Sequence, residues 1–141
     1  MSKGIVGDPV TRGLINGVNE GTTPLERPTL NRVRITDTGT KNDYALDSTA
    51  VSPITGFAYL EWNGASSVTF TGFAAGRDGE VRRIRNITAA QAMLFTHQAA
   101  GSTAANRLRT PGSVSTQAIG PGGTVDIVYN SADSRWELVI L

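Results

Sequence analysis

The chain has no cysteine, so neither a disulfide framework nor a thiolate metal site is available to it, and the redox compartment is left open. Histidine occurs once, at His97, and any catalytic or metal role for it would need carboxylates brought from distant strands. Charge of one sign is also lacking: thirteen Lys/Arg against twelve Asp/Glu leave a net charge of +1, too small a field to draw in nucleic acid or a membrane surface. No run approaches the roughly 20 apolar residues of a membrane span. The start, Met1 to Asp8, lacks the apolar core of a signal peptide, so a soluble protein without a secretion signal of its own is expected. Aromatic residues make up only 6% of the chain, which concentrates interest on the few positions that carry them.

What the chain has in quantity is punctuation. Sixteen glycines and six prolines in 141 residues favour short strands over long helices. A chain of this length fits one domain and buries roughly two-thirds of its unfolded surface, enough for a core. Residues 1–31 differ in texture from the rest. Glycines and prolines break every potential element there, and the apolar residues Ile5, Val6, Val10, Leu14, Ile15, Val18 and Leu25 come singly or in pairs. Composition alone suits a disordered tail as well as an extended arm whose apolar anchors plug into a partner's surface, and the arm is the interaction reading.

From residue 32 to 141 the pattern is that of strands. Arg32–Thr36 alternates charged and β-branched residues, and Gly56–Trp62 leads through Asn63-Gly64 into Ser67–Thr71, which reads as a hairpin closed by a tight turn. Gly72–Gly79 reads as a connector, since it lacks both the Gly-Lys-Ser/Thr ending of a phosphate loop and a following helix. In Glu80–Ile87 the apolar residues at 81, 84 and 87 fit neither period, which predicts a bulge or a turn near Asn86. The strongest signal is Val125, Ile127 and Tyr129 alternating with Thr124, Asp126 and Val128, followed by the core candidates Trp136, Leu138, Ile140 and Leu141: a terminal hairpin whose apolar end lies in a sheet or against a neighbouring subunit. About eight short strands, with no visible internal repeat, predict an all-β fold, a β-sandwich or jelly roll carrying an N-terminal arm.

Few residues converge toward chemistry. His97 is read as a strand histidine hydrogen-bonded to a loop backbone, and Asp126 and Glu137 either pair as carboxylates or form a solvated hairpin face. Arg82, Arg83 and Arg85, with Arg107 and Arg109, are the one concentration of positive charge. Without interleaved aromatics for base stacking they point away from nucleic acid and toward ion pairs at a subunit interface, with Arg83 and Arg85 as contact candidates, or toward an ordinary solvated face. No catalytic residue, metal site or cofactor is expected, and the chain is not read as an enzyme.

One ordered series carries more. Phe95-Thr96-His97-Gln98, Gly101-Ser102-Thr103-Ala104-Ala105-Asn106-Arg107-Leu108, Pro111-Gly112, Gly120-Pro121-Gly122-Gly123-Thr124-Val125, Val128-Tyr129-Asn130 and Arg135-Trp136 together resemble a β-domain of tailed-bacteriophage surface proteins, over about residues 67–141. The resemblance implies a non-enzymatic virion component, assembled in the host cytoplasm, displayed on the virion surface and trimeric. Two forms of it are expected. A capsid decoration (cement) protein would grip the major capsid protein with the 1–31 arm. A small tail-fibre, baseplate or receptor-binding protein would recognise host glycan, with Tyr59 or Trp62 stacking on sugar. The apparent lack of repeats for a shaft favours decoration.

Overall fold

A computed structural model gives the structure for residues 32–45, 57–74 and 76–141. The apolar anchors expected in the arm, from Ile5 to Leu25, lie outside these described residues. The described chain is all-β and has ten strands: β1 Arg32–Ile35, β2 Gly39–Lys41, β3 Phe57–Trp62, β4 Val68–Phe70, β5 Val81–Asn86, β6 Met93–Thr96, β7 Leu108–Arg109, β8 Thr116–Ile119, β9 Thr124–Asn130 and β10 Arg135–Ile140. They form a six-stranded sheet, ordered β1-β3-β5-β9-β10-β7, and a four-stranded sheet, ordered β8-β6-β4-β2.

The connectivity differs from the expected hairpin succession. Strands β1, β3 and β5 are parallel neighbours in one sheet, and β2, β4 and β6 are parallel neighbours in the other. Each successive coil of chain therefore lays one strand on each sheet before the next coil stacks beside it. This is a solenoid-like stack, not clearly a sandwich or a jelly roll. The corners stack as well: Asn63 N–H donates to Ile35 O, and Ile87 N–H donates to Trp62 O.

Asn63-Gly64 is accordingly a coil corner between sheets and not a hairpin turn, because β3 and β4 do not pair with each other. The glycine is needed for room. A Cβ at residue 64 would lie 2.6 Å from the Trp62 ring, and that ring is fixed by its Nε1–H donating to Asp37 O at 2.7 Å.

The repeat escapes detection in the sequence because coils share inward positions but not residue types. Val33, Leu60 and Ile84 are in register, as are Ile35, Trp62 and Asn86. Strand β5 keeps a strict two-residue period, with inward residues Arg82, Ile84 and Asn86; of the expected bulge or turn it has no bulge, and the chain corners where the strand ends at Asn86. Two polar residues on the buried face hid the alternation. Asn86 is fully buried and fully used. Its Nδ2 donates to Gln91 O and Ile119 O, and its Oδ1 accepts from Thr88 N–H and the Thr88 hydroxyl. A buried amide so satisfied holds a corner without the penalty of orphaned polar atoms.

The stack is closed on one side by the terminal hairpin, as expected. Strand β9 pairs antiparallel with both β5 and β10, and the register sets Tyr129 beside Trp136 and Ile127 beside Leu138. The short edge strand β7 completes the sheet beside Trp136 and Glu137. Leu141 does join the ladder, its N–H donating to Thr124 O at 3.1 Å. The expectation that Ile140 and Leu141 are core is corrected: they are 46% and 60% exposed, because the inward face of β10 runs past the end of the core after Leu138.

A single core cluster between the sheets contains Trp62, Phe70, Phe73, Phe95 and Trp136, all fully buried. Burying each such side chain stabilises the fold by roughly 2–3 kcal/mol. Phe70 and Phe95 are register partners on adjacent coils, with stacked rings 5.5 Å apart. Phe73, which falls in the stretch read as a plain connector, stacks on Phe70 at 5.0 Å and meets Trp136 edge-on at 6.2 Å.

Candidate functional site

Two places gather the residues singled out in the sequence. The first is the capped side of the stack, where the ordered series from Gln98 to Trp136 converges. The Ser102 hydroxyl accepts from Asp43 N–H and shares a hydrogen bond with the Thr71 hydroxyl. The Asp43 carboxylate accepts from Thr103 N–H, from its hydroxyl and from Asn106 Nδ2. These donors, Asn106 foremost, hold the Asp43 carboxyl below its ordinary value of 3.8. Arg107 Nε donates to Ser102 O, the Tyr129 hydroxyl to Ala105 O, and Arg135 to Gln98 Oε1 and Ala104 O. Trp136 Nε1–H donates to Phe73 O at 2.9 Å. The residues that carry the resemblance are thus spent on fastening the 98–107 loop to the hairpin and, through Asp43 and Thr71, to both preceding coils. They make a structural clamp.

His97 belongs to this clamp. Its Nδ1 accepts from Thr110 N–H at 3.1 Å, which matches the backbone-bonded histidine expected from the sequence. Asp126 and Glu137 do not pair with each other. Asp126 faces Val139 and binds Arg83, while Glu137 faces Val128 and binds Arg109.

The second place is the outer face of the six-stranded sheet. The five arginines expected to act together are separated by the two-residue period: Arg82 points inward, whereas Arg83 and Arg85 point out. Arg109 pairs with Glu137 and Asp133, and Arg107 is absorbed in the clamp. Across the outer face, one register row reads Arg32, Tyr59, Arg83, Asp126, Val139, and the next reads Arg34, Glu61, Arg85, Thr124. Arg83 grips Asp126 bidentately at 2.8 and 2.9 Å, which raises the guanidinium's pKa further. Glu61 stands beside Arg85 in register, yet its carboxylate is bonded to Arg34 at 3.0 Å and lies 3.8 Å from Arg32. The side chain of Arg85 has no ion-pair or hydrogen-bond partner among the described residues.

Arg85 lines an open cleft of about 360 Å³ together with Tyr59, Arg83, Gly122, Gly123, Thr124 and Leu141. The glycine turn that forms one wall is tied to the end of β5, Gly122 N–H donating to Asn86 O and Asn86 N–H to Gly123 O. Gly122 sits at φ 81°, a left-handed conformation that suits glycine. Of the two aromatic residues proposed to stack on sugar, Tyr59 is half-buried on this face, but Trp62 is fully buried in the core and is excluded. This cleft was not legible in the sequence, because its walls come from four separate stretches.

Compared with family models, with curated proteins and with solved structures, the chain matches none. Among the described residues no helix is long and apolar enough to cross a membrane.

Proposed function

We propose that the chain is a non-enzymatic structural module of a tailed-bacteriophage virion surface, of the fibre or baseplate kind. One observation carries the reading: the parallel, in-register stacking of coils, closed on one side by a clamped hairpin. Stacked coils build rigid rods in which each unit contacts only its neighbours, which is what a shaft or spike requires. The absence of sequence repeats, which spoke for decoration, loses its force once the coils repeat in space without repeating in residue type. The clamp supports the same reading, since the phage-like series of residues is used to hold a module together and not to line a reaction site.

A trimeric capsid decoration protein is the second reading. The exposed apolar residues Val139, Ile140 and Leu141 favour it, because they fit a contact between subunits. In that reading residues 1–31, outside the described residues, reach to the major capsid protein.

Mass spectrometry of purified particles, with antibody labelling in electron micrographs, separates the two. A few copies per particle at the tail end are expected. Hundreds of copies on the head would transfer the module to the decoration reading, and no copies in particles would overturn both.

A further inference from the structure

We infer that the cleft between Tyr59, Arg85, the Gly122–Thr124 turn and Leu141 binds an acidic saccharide, with Arg85 receiving the carboxylate and Tyr59 and Leu141 contacting the ring. The inference draws on the surface-module reading only for the choice of a saccharide as the carrier of the carboxylate. The cleft stands independently of where on a particle the module sits.

The first support is the uncommitted charge. Of the four arginines in these two register rows, Arg83 is held by Asp126, and Arg32 and Arg34 converge on Glu61. Arg85 lines the cleft and has no ion-pair or hydrogen-bond partner among the described residues. This is not for want of a carboxylate nearby, since Glu61 is its register neighbour. That carboxylate is instead bonded to Arg34, with Arg32 beside it. A planar fork of donors without such a partner matches a carboxylate in two parallel hydrogen bonds. One uncommitted cation balances a singly charged acid and leaves a doubly charged phosphate half-met.

The second support is the shape and lining. The glycine turn contributes no side chains, so a flat ring can approach its backbone, while the Tyr59 ring and the Leu141 side chain offer apolar contact to the C–H face of a pyranose. A volume of about 360 Å³ is at the lower end for ligand sites, which suits one or two sugar units and not an extended chain.

The test is a two-dimensional NMR titration of the full chain with sodium glucuronate, glucose, acetate and inorganic phosphate in turn. Saturable shifts of the Gly122, Gly123 and Thr124 amides with glucuronate, and weak or linear shifts with the other three, are expected. Arg85→Ala should weaken glucuronate binding about tenfold or more, since it removes a charged hydrogen-bonded pair. The double variant Arg32→Ala/Arg34→Ala leaves the cleft's own residues in place but removes both partners of Glu61, the register neighbour of Arg85, so it too should weaken binding. A merely adventitious anion contact at Arg85 would not depend on the sugar ring. Equal responses to acetate, phosphate and glucuronate, equal affinity for glucose, or an Arg85→Ala variant that binds as well as the parent would each overturn the inference. Particle localisation can fail while this titration succeeds, and the reverse, so the two readings fall separately.

Discussion

The guanidinium of Arg82 lies 4.3 Å from the centre of the Trp136 ring, inside the stack and beside the Glu80 carboxylate. Arg82 and Glu80 side chains are 6% and 7% exposed, with Arg82 Nε and Nη2 both donating to Glu80 Oε2. Nη1 is buried without a hydrogen-bond partner, leaving the electron-rich rings of Trp136 and Phe73 to compensate it. Burial pulls the guanidinium's pKa below its ordinary value, and Glu80 opposes that pull.

A buried ion pair is more costly to break than to replace. Arg82→Ala, which strands the Glu80 charge, should destabilise the fold by about 3–5 kcal/mol in urea unfolding. The double variant Glu80→Gln/Arg82→Met removes both charges and keeps the volume, and it should recover most of that loss. If Arg82→Ala costs no more than an ordinary surface change of about 0.5 kcal/mol, the buried pair is not the fastening described above.

The coil corner at residue 64 makes a sharper steric prediction. Adding a methyl group at Gly64 sets it against the Trp62 ring and against Asp37 O at 2.9 Å, neither of which can yield easily. Gly64→Ala should cost about 1–3 kcal/mol by overpacking. Gly120→Ala, where nothing lies within 4 Å, is the control and should stay near zero. Equal midpoints for the two variants in chemical denaturation would contradict the stacked corner.

Asp43 ties pH to stability. Its folded pKa is lowered relative to the unfolded chain, so the stabilisation is present above the unfolded value and is lost as pH falls through the folded one. The melting temperature should therefore drop as pH is taken below about 4. Asp43→Asn retains a residue tolerant of the left-handed φ of 47° but carries no charge. It should melt lower than the parent at neutral pH and converge with it in acid. Parallel pH profiles for the two proteins would show that this carboxylate does not set the acid limb.

How far the sequence spoke depended on whether a strand's inward residues were apolar. In β9 and β10 they are Val125, Ile127, Tyr129, Trp136 and Leu138, and the hairpin could be read with its faces assigned. In β5 they are Arg82, Ile84 and Asn86, and the same two-residue rule gave a false irregularity. Phe73 was hidden differently. It lies among glycines and alanines that look like a loop, and only the bridge from Tyr44 to Phe73 shows that this segment continues the coil-to-coil contact. Parallel partners such as Val33, Leu60 and Ile84 are far apart in the chain and share nothing but inward apolarity, so no local signal announces them. The Arg85 cleft was out of reach for a further reason: Glu61, its register neighbour, is bonded to Arg34, a relation set by register and not by spacing.

Stacking in register also fixes how such a protein can change its reach. Adding or deleting one whole coil would alter the length along the stack by a single inter-strand step of about 4.8 Å. The bonds from Asp43, on the first coil, to Ser102, Thr103 and Asn106, beyond the third, set where a coil can be added. A coil stacked outside β1 would leave the clamp and the cleft in place, a coil inserted between β1 and β6 would pull Asp43 from its partners, and an insertion of part of a coil would throw every inward side chain out of line.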